Sequence, residues 1–483
     1  MAAPISNEII DANKHDDSII YKIEATVVTG FERIAKQECI EKFGSNINIS
    51  ERQGRVIFEL PFSKVHLALD LHSAENVYLL VHEIDDFAFS TDKTTALLQF
   101  RQLVKDIGQA RWNNGLAVWR EVCNYEQSVS VPDLTQIDIS VTHSSNDDPH
   151  VESHPVSPGA TGEQRDSGEK SNEATEMTDA GDGPTSVQSD TGDPKMKDDH
   201  SCQNSKLDDV VVSDRVPLGV PRFRATCYRT GKHHSFGSPD AACEFGGAIN
   251  DFFRWKVDLK NFDIEVVLNI EDQRGYVTLA LTKATLGKRN INHFGPTTLK
   301  STIAYCMLRM SGIKDGDVVC DPMGGGGSIP IEGAICWPNA HFLCGDNHGM
   351  AESRVHSNVT DINQQRAEKE QGALKVDMFR WDVKRLPLHD SSVDVFITDM
   401  PFGKRMGNKF DNRRLYPQVL TELARVARPT TGRAVMLTQD KKCIQQSLIR
   451  LGYLWRRADT CWINIGGLSA GAFLLYRTAN IVK

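Results

Sequence analysis

Apolar positions recur along this 483-residue chain with two different periods, and the places where the period changes outline its architecture. Residues 21–29 alternate apolar and polar as a half-buried strand does, and 31–43 carry Phe31, Ile34 and Ala35 at helical spacing. Residues 55–60 read as a strand, 62–71 as a helix, 76–84 as a strand again, and 91–123 as mostly helical. This β-α-β-α-β succession predicts a small α+β layer over residues 21–125. A second run opens with the alternating strand 222–229. It continues with a helix over 239–255, for which Ser238 is the expected N-cap and Pro239 a first-turn residue. Strands at 262–270 and 276–281, joined by a turn, complete it.

From residue 293 strands and helices alternate regularly. Strands are expected at 318–320, 340–346, 376–380, 393–398, 434–438 and 455–465, with 474–477 paired to the last. Helices are expected at 331–335, 350–367 and 416–427. Such alternation predicts a doubly wound sheet, whose ligands lie in the crevice at the carboxyl ends of the strands.

Charge alters this picture in one place. A formal net charge of -9 argues at first against a polyanionic partner. Residues 143–210, however, hold 16 Asp and Glu against 5 Lys and Arg, with no aromatic residue, so the remainder is nearly balanced at 50 basic to 48 acidic. Residues 126–216 cannot bury enough apolar surface to offset their chain entropy and are expected to be a disordered acidic insertion, as residues 1–20 are expected to be a tail. Between 216 and 300 there are 12 basic and 8 acidic residues, a modestly basic face.

The 11 cysteines include no Cys-X-X-Cys pair and no zinc-ligand spacing. They are expected to be thiols in a reducing compartment, with no metal site. No stretch approaches the roughly 20 apolar residues of a membrane span, and the N-terminus lacks a signal-peptide core. A soluble intracellular protein is expected.

Candidate chemistry collects at predicted strand ends. Asp321-Pro322-Met323-Gly324-Gly325-Gly326-Gly327-Ser328 follows the first strand of the last region and opens a helix. Its glycines would let backbone approach a ligand, and the lack of a Gly-Lys-Ser/Thr ending argues against a phosphate-gripping loop. Taken alone it serves many ligands or none. Asp346 ends the next strand, where a carboxylate can accept from ribose hydroxyls, and Asp382 follows the third, where one can accept from an adenine amine. Asp399-Met400-Pro401-Phe402-Gly403 stands at the end of the fourth. A carboxylate, a backbone carbonyl and an aromatic face held by a stiff proline can grip the exocyclic amine of a planar base. Arg222, Arg224, Arg229, Lys288 and Arg289 in the middle region, and Lys404 and Arg405 after the turn, are candidates for phosphate contact. A solvated surface is the plain alternative for each.

This pattern resembles the Rossmann-like S-adenosylmethionine-dependent methyltransferases. Asp321-Pro322-X-X-Gly-X-Gly is similar to their glycine-rich motif, and Asp399-Met400-Pro401-Phe402 to the Asn/Asp-Pro-Pro-Tyr/Phe motif of amino-group methyltransferases. Residues 217–290 resemble a THUMP domain, with a ferredoxin-like domain and the start of the THUMP region over 21–125 and the catalytic domain over 291–483. The nearest resemblance is to the THUMP domain-containing tRNA (guanine-N2)-methyltransferases. It implies S-adenosylmethionine as cofactor and methylation of the N2 amine of an acceptor-stem guanosine, position six, in tRNA. It further implies a small zinc-binding activator subunit as partner and a cytoplasmic location with a nuclear pool. By the same resemblance Asp399, Met400 (through its carbonyl), Pro401 and Phe402 are catalytic. Pro296, Thr297, Asp321, Pro322, Gly325, Gly327, Asp346 and Asp382 would hold the cofactor. Met400 in place of the usual Pro, and the expanded glycine loop, depart from the pattern. Methylation of another amine (adenine N6, cytosine N4 or a glutamine side chain) and a non-catalytic tRNA-binding adaptor are the alternatives.

Overall fold

The computed structural model describes residues 17–126, 220–295, 298–402 and 409–482. Residues 1–16 and most of the expected acidic insertion lie outside them, as do Pro296, Thr297, Gly403, Lys404 and Arg405. The first patterned region forms β1 (Ile20–Val27), α1 (Glu32–Phe43), β2 (Ile49–Arg52), β3 (Arg55–Pro61), α2 (Phe62–Val65) and β4 (Ala74–Ile84), then α3 (Lys93–Ile107) and α4 (Gln109–Val122). The helix expected over 62–71 is a single α-turn followed by a tighter turn at His66–Asp70. The short edge strand β2 escaped the sequence reading because none of its four residues is fully buried.

The second region forms β5 (Arg222–Thr230), α5 (Ser238–Phe253), β6 (Lys256–Val257), β7 (Ile264–Glu271) and β8 (Arg274–Ala280). Helix α5 starts one residue before the expected place. Gly237 is its N-cap, and the Asp240 carboxylate accepts from the Gly237 amide at 3.1 Å. Strands from both sides of the acidic stretch make one eight-stranded sheet in the order β2-β3-β1-β4-β8-β7-β5-β6. Its continuity rests on β4 pairing antiparallel with β8, Tyr78 opposite Ala280 through Ile84 opposite Gly275. Helices α3, α4 and α5 cover it with a core that includes Phe100, Trp112, Trp119 and Phe245.

The last region forms α6 (Ser301–Ser311), β9 (Val318–Asp321), α7 (Ser328–Cys336), β10 (His341–Asp346), α8 (Ala351–Glu368), β11 (Val376–Arg380), β12 (Val395–Asp399), α9 (Lys409–Val426), β13 (Arg433–Thr438), α10 (Lys441–Arg450), β14 (Trp455–Ile465) and β15 (Leu468–Arg477). The sheet order is β11-β10-β9-β12-β13-β15-β14, parallel up to β13 and antiparallel in the final hairpin. From β9 the chain winds outward to β10 and β11, then returns to place β12 on the other side. The crevice at this reversal opens over the carboxyl ends of β9 and β12.

The two sheets share packing. Val28, Phe31 and Ile34 belong to the same core as Ile303, Val319 and Ile463 of the last region. Gly30 has φ +101°, and a Cβ there would stand 2.0 Å from the Trp462 carbonyl oxygen, so no other residue fits this approach. At the centre of the seam lies Glu332 on α7, with no exposed surface. Its Oε1 meets His72 Nδ1 and Arg289 Nη2, each at 2.6 Å, and its Oε2 accepts from Asn290 Nδ2 at 3.0 Å. Arg289 Nη2 also donates to the His72 carbonyl at 2.6 Å. Burial alone would raise the Glu332 pKa, but the bond from His72 and the charge of Arg289 outweigh it and hold the carboxyl below its ordinary range.

Replacing Glu332 with Ala should therefore destabilise the protein by about 3–5 kcal/mol in chemical denaturation near neutral pH, because the half-buried Arg289 and His72 lose their buried anion. A group with a depressed pKa stabilises above its unfolded pKa and ceases to do so as pH falls through the folded one. The deficit of the variant should accordingly shrink in acid.

Candidate functional site

Strand register brings the predicted carboxylates together. Asp321 ends β9 opposite Cys344, so Asp346 projects two residues further on β10 and, sharing the parity of Cys344, faces the same side of the sheet. Arg380 lies opposite Asp346, and Asp382 follows two residues later. On β12, Phe396 pairs with Cys320, which sets Asp399 two residues beyond the level of Asp321, again with matching parity. The sequence could suggest strand ends; the registers make them one rim.

The glycine turn is tied into that rim. Asp346 Oδ2 accepts from the Gly325 amide at 3.0 Å and its Oδ1 from the His348 amide at 2.7 Å. Asp321 Oδ1 accepts from the Met323 amide at 3.1 Å. Gly325 and Gly327 have φ +54° and +85°, and a Cβ on Gly325 would project into open space. Here a ligand can lie directly on backbone, so the cradle fits the expected cofactor. Asn358 on α8, 1% exposed, shapes the same loop: its Oδ1 accepts from the Asn292 and His293 amides, and its Nδ2 donates to the Gly326 carbonyl at 3.0 Å. Sequence reading missed it because a polar residue within a polar helix carries no distinguishing signal.

Asp382 is well exposed; its Oδ1 accepts from the Lys384 amide at 3.0 Å and its Oδ2 pairs with Lys384 Nζ at 3.1 Å. Slight burial would raise its pKa, but Lys384 outweighs this and holds it low, so the carboxylate remains an acceptor. Trp381, between Arg380 and Asp382, is a strut. It is 5% exposed, donates from Nε1 to the Pro322 carbonyl at 3.1 Å, and lies across Gly345, where a Cβ would come within 1.9 Å of the indole.

At the catalytic turn the Met400 side chain is buried and its amide donates to Leu437 O at 2.9 Å. Among the described residues no backbone amide donates to the Met400 carbonyl. Asp399 is half-buried, and its Oδ1 is sealed from solvent with no hydrogen-bond partner among the described residues. Burial, reinforced by the charge of Asp321, pushes Asp399 up to about 8. Burial likewise pushes Asp321 up to about 7. Phe402 is partly exposed and packs its inner side on the catalytic core. Two neighbouring acceptors with no such donor among the described residues suit a ligand with two N–H groups on one nitrogen.

The predicted phosphate contacts are distributed differently from expectation. Arg222 and Arg224 stand on one face of β5, but β7 runs parallel beside it and sets acids against them: Arg222 pairs with Asp263 and Arg224 with Glu265, each at 2.9 Å. The expected basic face is thus a neutralised ladder. Arg229 falls on the opposite parity and donates to the Gly231 carbonyl at 3.2 Å. Arg289 is the seam cation of Glu332, so its predicted RNA role is replaced by a structural one. Lys288 is exposed. The group His72, Glu332 and Cys336 has donor atoms close enough for a metal, yet the Arg289 guanidinium occupies the approach to the shared oxygen. Opposing charge makes it an ion-paired joint.

Comparison with known proteins agrees with this geometry. The chain is 39% identical over 471 residues to the Bos taurus tRNA (guanine(6)-N(2))-methyltransferase THUMP3, covering 94% of this chain and 88% of the relative. The Homo sapiens protein of the same description is 37% identical, covering 98% and 94%. This chain belongs to the THUMP3 methyltransferase family. The UPF0020 family, described as RMKL-like, methyltransferase domain, matches residues 288–470. Crystallised TrmN of Thermus thermophilus has the same fold, with TM-score 0.60 at 18% identity over 95% of this chain and 99% of TrmN. A Listeria monocytogenes protein described as a predicted N6-adenine-specific DNA methylase also shares the fold, with TM-score 0.54 at 13% identity over 95% of this chain and 96% of that one.

A carboxyl whose folded pKa is raised keeps its proton where the unfolded chain has lost it, so folding stability falls as pH rises from the unfolded toward the folded value. Asp399→Asn should therefore raise stability by roughly 1–3 kcal/mol at about pH 8.5 and by less at about pH 5.5, measured by denaturant titration at both.

Proposed function

We propose that this chain methylates the N2 amine of a guanosine in tRNA, with Asp399 and the Met400 carbonyl as the two acceptors for that amine. The carrying observation is the buried Asp399 Oδ1, which has no hydrogen-bond partner among the described residues, next to the Met400 carbonyl, to which no backbone amide of the described residues donates. The substrate follows the relatives that match nearly end to end, all described as tRNA (guanine(6)-N(2))-methyltransferases. S-adenosylmethionine supplies the methyl group as an electrophilic sulfonium substituent. The residues that would hold it are Asp346 for the ribose, Asp382 for the adenine amine and the Asp321–Gly327 loop for the remainder.

The chain's own residues do four things. Asp399 and Met400 accept the two N–H bonds and draw the delocalised nitrogen lone pair toward a tetrahedral, nucleophilic shape. Phe402 fixes the plane of the base, and Pro401 holds turn and ring in register; positioning of this kind supplies much of a methyl-transfer acceleration. Asp399, poised near neutrality, holds the proton that the nitrogen releases. A stem guanosine must leave its stack to reach this rim, at a cost of a few kcal/mol. Phosphate contacts that favour this are offered by Lys288 and by Arg413 and Arg450, which line a groove of about 420 Å³ between α9 and α10.

A small zinc-binding activator subunit would be accepted at the edge strand β11, whose outer side has no partner strand among the described residues and where Phe379 is 44% exposed. Ten cysteines among the described residues are free thiols, which fits a reducing, cytoplasmic setting.

Nucleosides digested from tRNA treated with the protein, the activator and S-adenosylmethionine should contain N2-methylguanosine by mass spectrometry; N6-methyladenosine instead would reverse the substrate assignment. Asp399→Ala should lower kcat by about 10³-fold or more while leaving tRNA affinity within about twofold, since phosphate contacts dominate that affinity. The pH profile of kcat/KM should rise through pH 7–8 as the pair Asp321 and Asp399 ionises.

A further inference from the structure

We propose that Asn412 and Tyr416 of α9 are positioning residues for methyl transfer, which fix the catalytic turn by holding the carbonyl of Pro401. The inference rests on the assignment of Asp399 and Met400 given above and adds the device that aims them.

The proline ring fixes φ at residue 401, so ψ is the soft torsion linking the acceptor pair to Phe402. That torsion turns the Pro401 carbonyl. Tyr416 Oη donates to this oxygen at 2.8 Å and Asn412 Nδ2 donates to it at 3.0 Å, filling both lone pairs. Tyr416 is fully buried and Asn412 is 1% exposed, so neither bond competes with water. The carbonyl is drawn toward the protein interior, and ψ with it.

The proton directions are forced. A carbonyl can only accept, and the Asp440 amide can only donate, which it does to Thr438 Oγ1 at 2.9 Å. The hydroxyl of Thr438 must therefore donate to Tyr416 Oη, 2.6 Å away, and Tyr416 must donate to Pro401. The second Nδ2 proton of Asn412 goes to Asp440 Oδ2 at 3.3 Å, while Asp440 Oδ1 caps α10 by accepting from the Cys443 amide at 3.1 Å. The end of β13 and the starts of α9 and α10 thus converge on one carbonyl oxygen.

Asn412 contributes this at a disadvantage. Its Oδ1 is buried with no partner among the described residues, a defect that an apolar side chain would remove. A position chosen for packing alone would favour Leu. With the clamp in place the Pro401 oxygen cannot swing toward the substrate as a competing acceptor, and the amine is left with Asp399 and Met400. Without it the Phe402 ring and the amine lose their common frame.

The test is steady-state kinetics on tRNA with the full chain and its activator, comparing Tyr416→Phe, Asn412→Leu and the double variant, with Asp399→Ala alongside. Each single substitution should lower kcat by about tenfold and the double by about a hundredfold, with KM for tRNA and affinity for S-adenosylmethionine within about twofold. Asn412→Leu should melt at or above the wild-type temperature even as its kcat falls, which a merely structural role would not produce. Wild-type kcat in both single variants and the double overturns the clamp, as does a loss of kcat that only follows lost cofactor binding or folded fraction. If Asp399→Ala itself turns over, the underlying site assignment fails; if it is inactive while the clamp variants run at full kcat, the clamp alone fails.

Discussion

A carboxylate with no exposed surface must be paired, or it takes up a proton or destabilises what surrounds it. Glu332 meets that demand with a histidine from the N-terminal half and an arginine and an asparagine from the segment leading into the catalytic half, and its own helix adds the Cys336 thiol at 3.8 Å. The eight-stranded and seven-stranded sheets therefore cannot slide past one another without leaving a buried charge bare. Arg309 with Glu41, and Arg33 with Asp459, extend the seam outward as exposed pairs of smaller worth. The first sheet and the rim of the second are thereby held at a fixed separation.

The rim runs on the opposite logic. Asp399 has a buried oxygen with no partner among the described residues, next to a second buried carboxyl, and both are held near neutrality by the same desolvation that makes them expensive. In the function proposed above, substrate supplies the missing donor. The clamp on Pro401 lets the rest of the turn stay rigid while this one valence stays open, so that strain and preorganisation occupy neighbouring atoms without interfering.

Much of this was legible in the chain. The expected bounds of β11 and β14 match the structure, and the rim carboxylates were found because strand ends and turn chemistry leave local signals. What failed were features set by partners far apart in sequence. Arg222 and Arg224 of β5 looked like a basic face because Asp263 and Glu265 lie some forty residues away; only parallel pairing brings them alongside. Arg289 looked free for the same reason. Asn412, Tyr416 and Asn358 went unnoticed because each occupies an ordinary helical position, and their meaning lies in the backbone atoms they reach.

The pairing of β4 with β8 has a consequence for biogenesis. Ile84 leaves the ribosome about two hundred residues before its partner strand is complete, and at 5–20 residues per second that is roughly ten to forty seconds. Throughout this interval the nascent β4 presents an open edge, and Trp119 waits for the Ala280 carbonyl to which its indole donates in the finished protein. The acidic stretch emerges during the same wait. Stretches of like charge repel one another, so the composition of this segment works against contact between neighbouring chains during the period in which the core is unfinished.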